Sequence, residues 1–407
     1  MNCRHCHTPL VHVFLDLGSP PPSNAYLTEA QLEKPETHYP LKIYVCDECW
    51  LVQTQDFASA DSLFDPDYAY FSSISASWLA HAKNYCEMIT KKLALDKNSL
   101  VVEIASNDGY LLRNFVAAGI PCLGIEPTDS TAQAAEKLGI PVLRKFFGGA
   151  LASELREQGK QADLIICNNV FAHVPDINDF TVGLKSLLKP GGTVTLEFPH
   201  LMQMIAGGQF DTVYHEHFSY LTLCAVRRIF ESVGLKVIDA EELSTHGGSL
   251  RVYGCHAEDK RPESPGVENI LRAEEMRGLK QISTYEQFQS TTEEIKNNFL
   301  TFLVKSKEEG KKIAAYGAAA KGNTLLNFAG IKPDLIPYVC DAAPSKQGKF
   351  MPGSHIPIVA PVALRERKPD IVVILPWNIL DEVVEQHSYI REWGGQFVTA
   401  IPTLRFF

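Results

Sequence analysis

The chain has no unbroken apolar run near the roughly 18–20 residues that a membrane-crossing helix needs, so no helical span and no membrane partner are expected. Its first ten residues, MNCRHCHTPL, lack the basic-then-apolar pattern of a secretory signal, and a cytoplasmic protein is the simplest expectation. Positive charge is scarce: 38 Lys and Arg face 48 Asp and Glu, a formal net charge of −10. That balance withholds the basic footprint that neutralises a phosphate backbone, so no nucleic-acid partner is expected. No internal repeat is visible, and the G-x-G-x-x-G fingerprint of dinucleotide sites is missing. What remains is a globular composition, 45% hydrophobic and 21% charged, in 407 residues. That length is too great for one core, and two or three domains follow.

Cysteine is present but unevenly spread. Four of the ten cysteines form two C-x2-C pairs, Cys3 and Cys6 in CRHC and Cys46 and Cys49 in CDEC. A reducing compartment disfavours disulfides, which leaves metal ligation as the reason for pairing. Such a turn brings two sulfurs about 3.5–4 Å apart, the edge of a ZnS4 tetrahedron with bonds of ~2.3 Å. Four thiolates saturate Zn2+ and leave no place for water, so a structural zinc is expected. His5 and His7 are expected to face solvent. The six remaining cysteines sit singly, mostly on apolar runs, and are expected in the core.

From about residue 100 short apolar runs alternate with helical patterns: SLVVEIA, PCLGIEP, ADLIICNNV and TVTLEFP are strand-like, with helices between them. That alternation predicts parallel βαβ units and a doubly wound α/β sheet, with ligands at the carboxyl ends of the strands. A second βα series starts near residue 312 with KIAAYGAAAKGNTLLNFAG, after a polar, helix-favouring connector. The expected domains are residues 1–62, 63–265 and 266–407.

Glu103 ends the first buried strand, and the small turn ASNDG leads into a helix, letting a ligand approach the backbone. About twenty residues on, Glu126 ends the second strand with Pro127 beside it, suited to accept hydrogen bonds from ribose hydroxyls. Either a dinucleotide or S-adenosylmethionine (SAM) uses such a layout. Glu103 and Asp108 would repel pyrophosphate and attract a sulfonium and an ammonium, which favours SAM. VVEIASNDGYLL resembles the first motif of class I methyltransferases, with Ala105 where the family usually has glycine, followed by Asn107, Asp108 and Gly109. IICNNVFAHVPD is similar to that fold's later motif, which implies Asn169 near the methyl-bearing sulfur, and LKPGGTVTLEFP resembles its glycine turn and fifth strand.

The order of segments resembles one family as a whole, the sugar C-methyltransferases that act on nucleotide-linked 4-keto-6-deoxyhexoses. Four-cysteine domain, SAM domain with FDTVYHEHFSY, HGGSLR, and a Rossmann-like domain with YGAAAKGNTLLN and GSHIPI follow in that order. The resemblance implies methylation at C3, where the C4 ketone makes the carbon acidic. His217 would be the base, and Tyr214 would hydrogen-bond the keto or enolate oxygen. Glu216 would orient the imidazole or bind a sugar hydroxyl, His173 would donate to the enolate, and Tyr70 would line the site. His215 has no role in this reading. Arg251 is a candidate for the substrate's phosphates and Lys321 for an anion, against the competing view that the last domain only closes over the sugar. The expected partner is a nucleotide-diphosphate sugar and the expected state a monomer. An O- or N-methyltransferase on another small molecule uses a similar base and stays open. A zinc-ribbon nucleic-acid module is disfavoured by charge, and an NAD oxidoreductase by the missing glycines.

Overall fold

Both cysteine turns close with the same backbone bonds. His7 N donates to Cys3 O at 3.0 Å and Trp50 N to Cys46 O at 2.9 Å, while Cys3 N and Cys46 N donate to Thr8 O and Leu51 O. The residue after each second cysteine, His7 or Trp50, takes a positive φ, 63° and 62°. The turns flank an antiparallel sheet of β1 (His12–Asp16), β2 (Lys42–Val45) and β3 (Val52–Thr54). Its fourth strand comes from far along the chain, where Tyr220 and Ser219 face Val52 and Gln53. This computed structural model describes residues 1–55, 57 and 71–407, so Tyr70 and the expected 62/63 boundary lie outside the described residues.

The middle region holds β4 (Val101–Ile104), β5 (Cys122–Ile125), β6 (Val142–Leu143), β7 (Ala162–Asn168), β8 (Leu188–Pro199), β9 (Ser219–Tyr220), β10 (Leu235–Leu243) and β11 (Ser249–His256). All but β9 join one sheet in the order β6-β5-β4-β7-β8-β11-β10. Pairs from β6 to β8 are parallel, and β11 runs antiparallel to both neighbours. This is the expected doubly wound α/β sheet, and strand order reverses between β4 and β7. A ligand crevice therefore opens at their carboxyl ends. Leu164, Ile165, Ile166, Leu196 and Phe198 are fully buried, as a sheet covered on both faces requires.

Helices Pro265–Met276, Ile282–Glu286 and Phe288–Glu308 form the expected connector. They do more than connect. Phe288 stacks on Phe14 of β1 at 4.8 Å between ring centroids, and Glu274 accepts from the buried His200 at 2.8 Å. The last sheet contains β12 (Ile313–Tyr316), β13 (Val339–Cys340), β14 (Ile358–Val359), β15 (Ile371–Ile374), β16 (Gln396–Thr399) and β17 (Arg405–Phe406). Its order is β14-β13-β12-β15-β16-β17, parallel except for β17. Among the described residues no helix is long and apolar enough to cross a membrane.

Five of the six unpaired cysteines are buried, and Cys224 is half-buried. His7 is exposed as expected, but His5 is not a free surface residue. Its Nδ1 lies 2.8 Å from Asn178 Oδ1, and Asn178 donates back to His5 O, docking the first knuckle on the helix Ile177–Leu187 of the middle region.

Candidate functional site

The four knuckle sulfurs converge, all within 4.8 Å of one another. Cys3 and Cys49 are 3.5 Å apart, as are Cys6 and Cys46. A hydrogen bond from Cys49 holds the Cys3 thiol down to about 4 and pushes Cys49 up, while burial raises Cys46 to about 11. Thiols this close share protons unless a cation replaces them, and the donor set and spacing fit tetrahedral zinc. Gln53 Nε2 donates to Cys3 Sγ at 3.2 Å, which ties the cluster to β3.

At the carboxyl end of β4 the chain turns through left-handed conformations at Ala105 (φ 53°), Asn107 (φ 50°) and Gly109 (φ 78°). A side chain at Gly109 would overlap Ile140 and crowd Ala135 of the helix Asp129–Glu136, so that close packing requires glycine. Glu126 fixes this turn by accepting from Asn107 N at 2.9 Å and Thr128 N at 3.0 Å. Asn107 Oδ1 and Asp108 Oδ2 accept from Ser72 N and Ser73 N. Among the described residues, buried Glu103 Oε2, Asp108 Oδ1, both side-chain polar atoms of Asn168, and Asn169 Oδ1 find no protein partner. Burial raises the Glu103 carboxyl well above its ordinary value, with Glu126 and Asp108 adding to the effect.

The loop between the short helical turn Phe210–Thr212 and β9 carries Tyr214, His215, Glu216 and His217. His217 Nδ1 lies 2.9 Å from Thr212 O, a carbonyl that can only accept. The proton is therefore on Nδ1, and Nε2 presents a bare lone pair. Burial lowers the His217 pKa well below its ordinary value, and His173, Lys321 and His246 contribute to the same direction. The ring is 4.0 Å from Tyr214 and 4.6 Å from His173, between centroids. His173 is oriented by the same device, its Nδ1 2.8 Å from Glu216 O, and burial pulls it down to about 4. With its proton on Nδ1, the neutral form of His173 presents Nε2 as an acceptor. Glu216 Oε1 accepts from Asn24 of the N-terminal region at 3.0 Å, so its carboxylate does not orient an imidazole. His215 turns away, 3.1 Å from Tyr39 O.

The third sheet contributes directly. Thr324 Oγ1 donates to Val213 O at 2.8 Å, and Trp377 Nε1 donates to the buried Asp211 at 2.8 Å. Lys321 Nζ lies 4.7 Å from the Trp377 ring centroid and 3.3 Å from Asn378 Oδ1. Its charge is felt at His217, His246 and Asp211. Arg251 is engaged elsewhere: its guanidinium pairs with Glu197 at 2.9 Å and Glu241 at 3.1 Å, above the Tyr85 ring. Phosphates would have to displace two carboxylates, and in this geometry Arg251 braces neighbouring strands.

Comparison with known proteins agrees with this arrangement along the whole chain. Residues 3–64 match a zinc binding domain, 78–240 a methyltransferase domain, and 244–402 the C-methyltransferase C-terminal domain. C-methyltransferase NovU of Streptomyces niveus is 33% identical over 404 residues, covering 99% of this chain and 96% of its own. The chain belongs to the C-methyltransferase family. It is a SAM-dependent methyltransferase with a zinc-binding domain. Two solved structures resemble part of this C-methyltransferase. Magnesium protoporphyrin IX methyltransferase of Synechocystis PCC 6803 with bound SAM is 16% identical over 44% of this chain and 80% of that one, TM-score 0.33. A Pyrococcus horikoshii OT3 protein is 12% identical over 46% and 95%, TM-score 0.38.

In the C-methyltransferase the crevice residues fit SAM. The unpartnered carboxylate oxygens of Glu103 and Asp108 suit an ammonium and hydroxyls, and the free amide atoms of Asn168 and Asn169 sit at the next strand's end. Several groups escaped the sequence reading. His246 accepts from Asn169 Nδ2 at 3.3 Å and leans on Trp78, and burial holds its pKa down to about 4. It stands in HGGSLR, where the arginine drew attention first. Asp211 lies just before the YHEH run. Trp377 follows the carboxyl end of β15, a position that the rule for open α/β sheets marks for ligands.

Proposed function

We propose that the enzyme methylates C3 of a nucleotide-diphosphate-linked 4-keto-6-deoxysugar. One observation carries the reading: Thr212 O fixes the His217 tautomer so that a neutral imidazole Nε2 faces a largely dehydrated cluster. O-methylation starts from a hydroxyl, whereas C-methylation needs a carbon made acidic by a neighbouring ketone and a base aimed at it. His217 takes the C3 proton, and Tyr214, beside it, hydrogen-bonds the C4 oxygen. The unpartnered Glu216 Oε2 takes a sugar hydroxyl. Glu103, Asn107, Asp108, Gly109, Glu126, Pro127 and Asn169 shape the SAM crevice, with Ala105 at its turn. When bound, SAM supplies an electrophilic methyl group on a sulfonium. We place the enzyme in the cytoplasm as a monomer, since one chain brings groups from all three sheets to the site; light scattering showing a stable dimer would overturn that.

The test is mass spectrometry of a dTDP-4-keto-6-deoxyglucose pool with SAM in D2O. Wild type is expected to add one methyl group and to exchange the C3 hydrogen. His217→Asn is expected to lose both by about 10²–10⁴-fold. Because the His217 pKa is lowered, wild-type exchange should hold its rate down through pH 6.5 and fall only below it. Equal methylation of the 4-hydroxy sugar would turn the reading to an O-methyltransferase.

A further inference from the structure

Lys321 breaks three local rules at once. It sits in the first turn of helix Ala320–Phe328, where the helix dipole disfavours a cation. Burial lowers its pKa, yet among the described residues no carboxylate lies within ion-pair distance of its Nζ. One acceptor, Asn378 Oδ1 at 3.3 Å, uses one of its three hydrogens. Violations of this kind are retained at functional sites.

Its surroundings hold it there. The Trp377 ring faces the ammonium, and the indole N–H is anchored on Asp211. Gly247, at φ 87°, lets the Trp377 ring approach, since a side chain there would overlap it. Gly317, at φ 89°, gives Pro376 the same room. The rest of the YGAAAKGN turn is already committed. Ala318 N donates to Asp341 at 2.7 Å, and Ala318 O accepts from Tyr26 at 2.6 Å and Lys346 at 2.7 Å. The turn thus presents one cation beside Trp377, on the helix whose Thr324 donates to Val213 O four residues before His217.

We propose that Lys321 is a catalytic residue of the enolisation step, with Trp377 and Asp211 as its positioning residues. The inference rests on the keto-sugar reading above. His217 Nε2 takes the proton from the carbon next to the ketone. The C–H electron pair becomes the new C–C π bond, and the carbonyl π pair moves onto oxygen. Lys321 N–H donates to that oxyanion and stabilises it as the charge develops.

Hydrogen–deuterium exchange of dTDP-4-keto-6-deoxyglucose without SAM, followed by proton NMR, isolates this step. Binding of dTDP by calorimetry reports the diphosphate separately. Lys321→Met should slow exchange by about 10²–10³-fold while the dTDP Kd stays within about threefold. Lys321→Arg should recover part of the rate, and Trp377→Phe should cost about tenfold in exchange with dTDP affinity kept. Wild-type exchange by Lys321→Met overturns the proposal. So does a loss of dTDP affinity that matches the loss of exchange, which would assign the lysine to the diphosphate. If the wild type itself exchanges nothing, the keto-sugar reading falls and takes this proposal with it.

Discussion

The zinc centre and the methyl-transfer site are neighbours built on opposite plans. All four zinc ligands lie within the first 49 residues, on two turns closed by the same backbone bonds. The transfer site draws on Asn24, His173, His217, His246, Lys321 and Trp377, which come from all three parts of the chain. The first is closed and satisfied by its ligand; the second keeps buried polar atoms without protein partners. A stable metal site needs only local geometry plus a cation, whereas a reaction site needs groups that fold into place and then stay unsatisfied.

The two are also joined. Gln53 donates to Cys3 Sγ and stands opposite Ser219, two residues after His217. Removing zinc should therefore have the largest effect of any change. Structural zinc contributes on the order of 10–16 kcal/mol in small domains. Chelation is expected to unfold the N-terminal sheet, free β9 and stop transfer, as read by circular dichroism and methyl incorporation. Lost transfer in a metal-free enzyme with unchanged melting would make the zinc catalytic and dissolve the contrast.

Gly247→Ala attacks the other plan alone. The added methyl meets the Trp377 ring at a backbone φ of 87°. The expected cost is about 1–3 kcal/mol, with a fall in exchange and full zinc content by metal analysis. Zinc loss in that variant would mean the two regions are one cooperative unit.

The smallest expected effect is at Ala105, which holds φ 53° in the cofactor turn. A left-handed non-glycine residue costs roughly 1–2 kcal/mol, and glycine's greater freedom in the unfolded chain returns about 0.5–1 of it. Ala105→Gly should stabilise the protein by about 0.5–1 kcal/mol in thermal melts. A lower melting temperature would show that the methyl group's packing outweighs the strain.

The uneven legibility of the two regions has the same origin. The two cysteine turns could be read as one metal site because each pair is fixed by a four-residue spacing. The α/β sheet was legible because buried parallel strands are short apolar runs separated by helices. His217 and Tyr214 were legible only through their motif. The tautomer of His173 is set by Glu216 O, 43 residues away. Arg251 is taken by Glu197, 54 residues away, and Trp377 reaches Asp211 across 166.

The sequence by itself determined the zinc ligands, the class of sheet and the small-residue turn after its first strand, because spacing and periodicity act over a few residues. Only the tertiary structure decided which nitrogen of His217 is bare, which cations are already paired, and that the last domain sets Trp377 on Asp211. Those properties are hydrogen-bond and charge partnerships between distant segments, and they come into being when the chain packs.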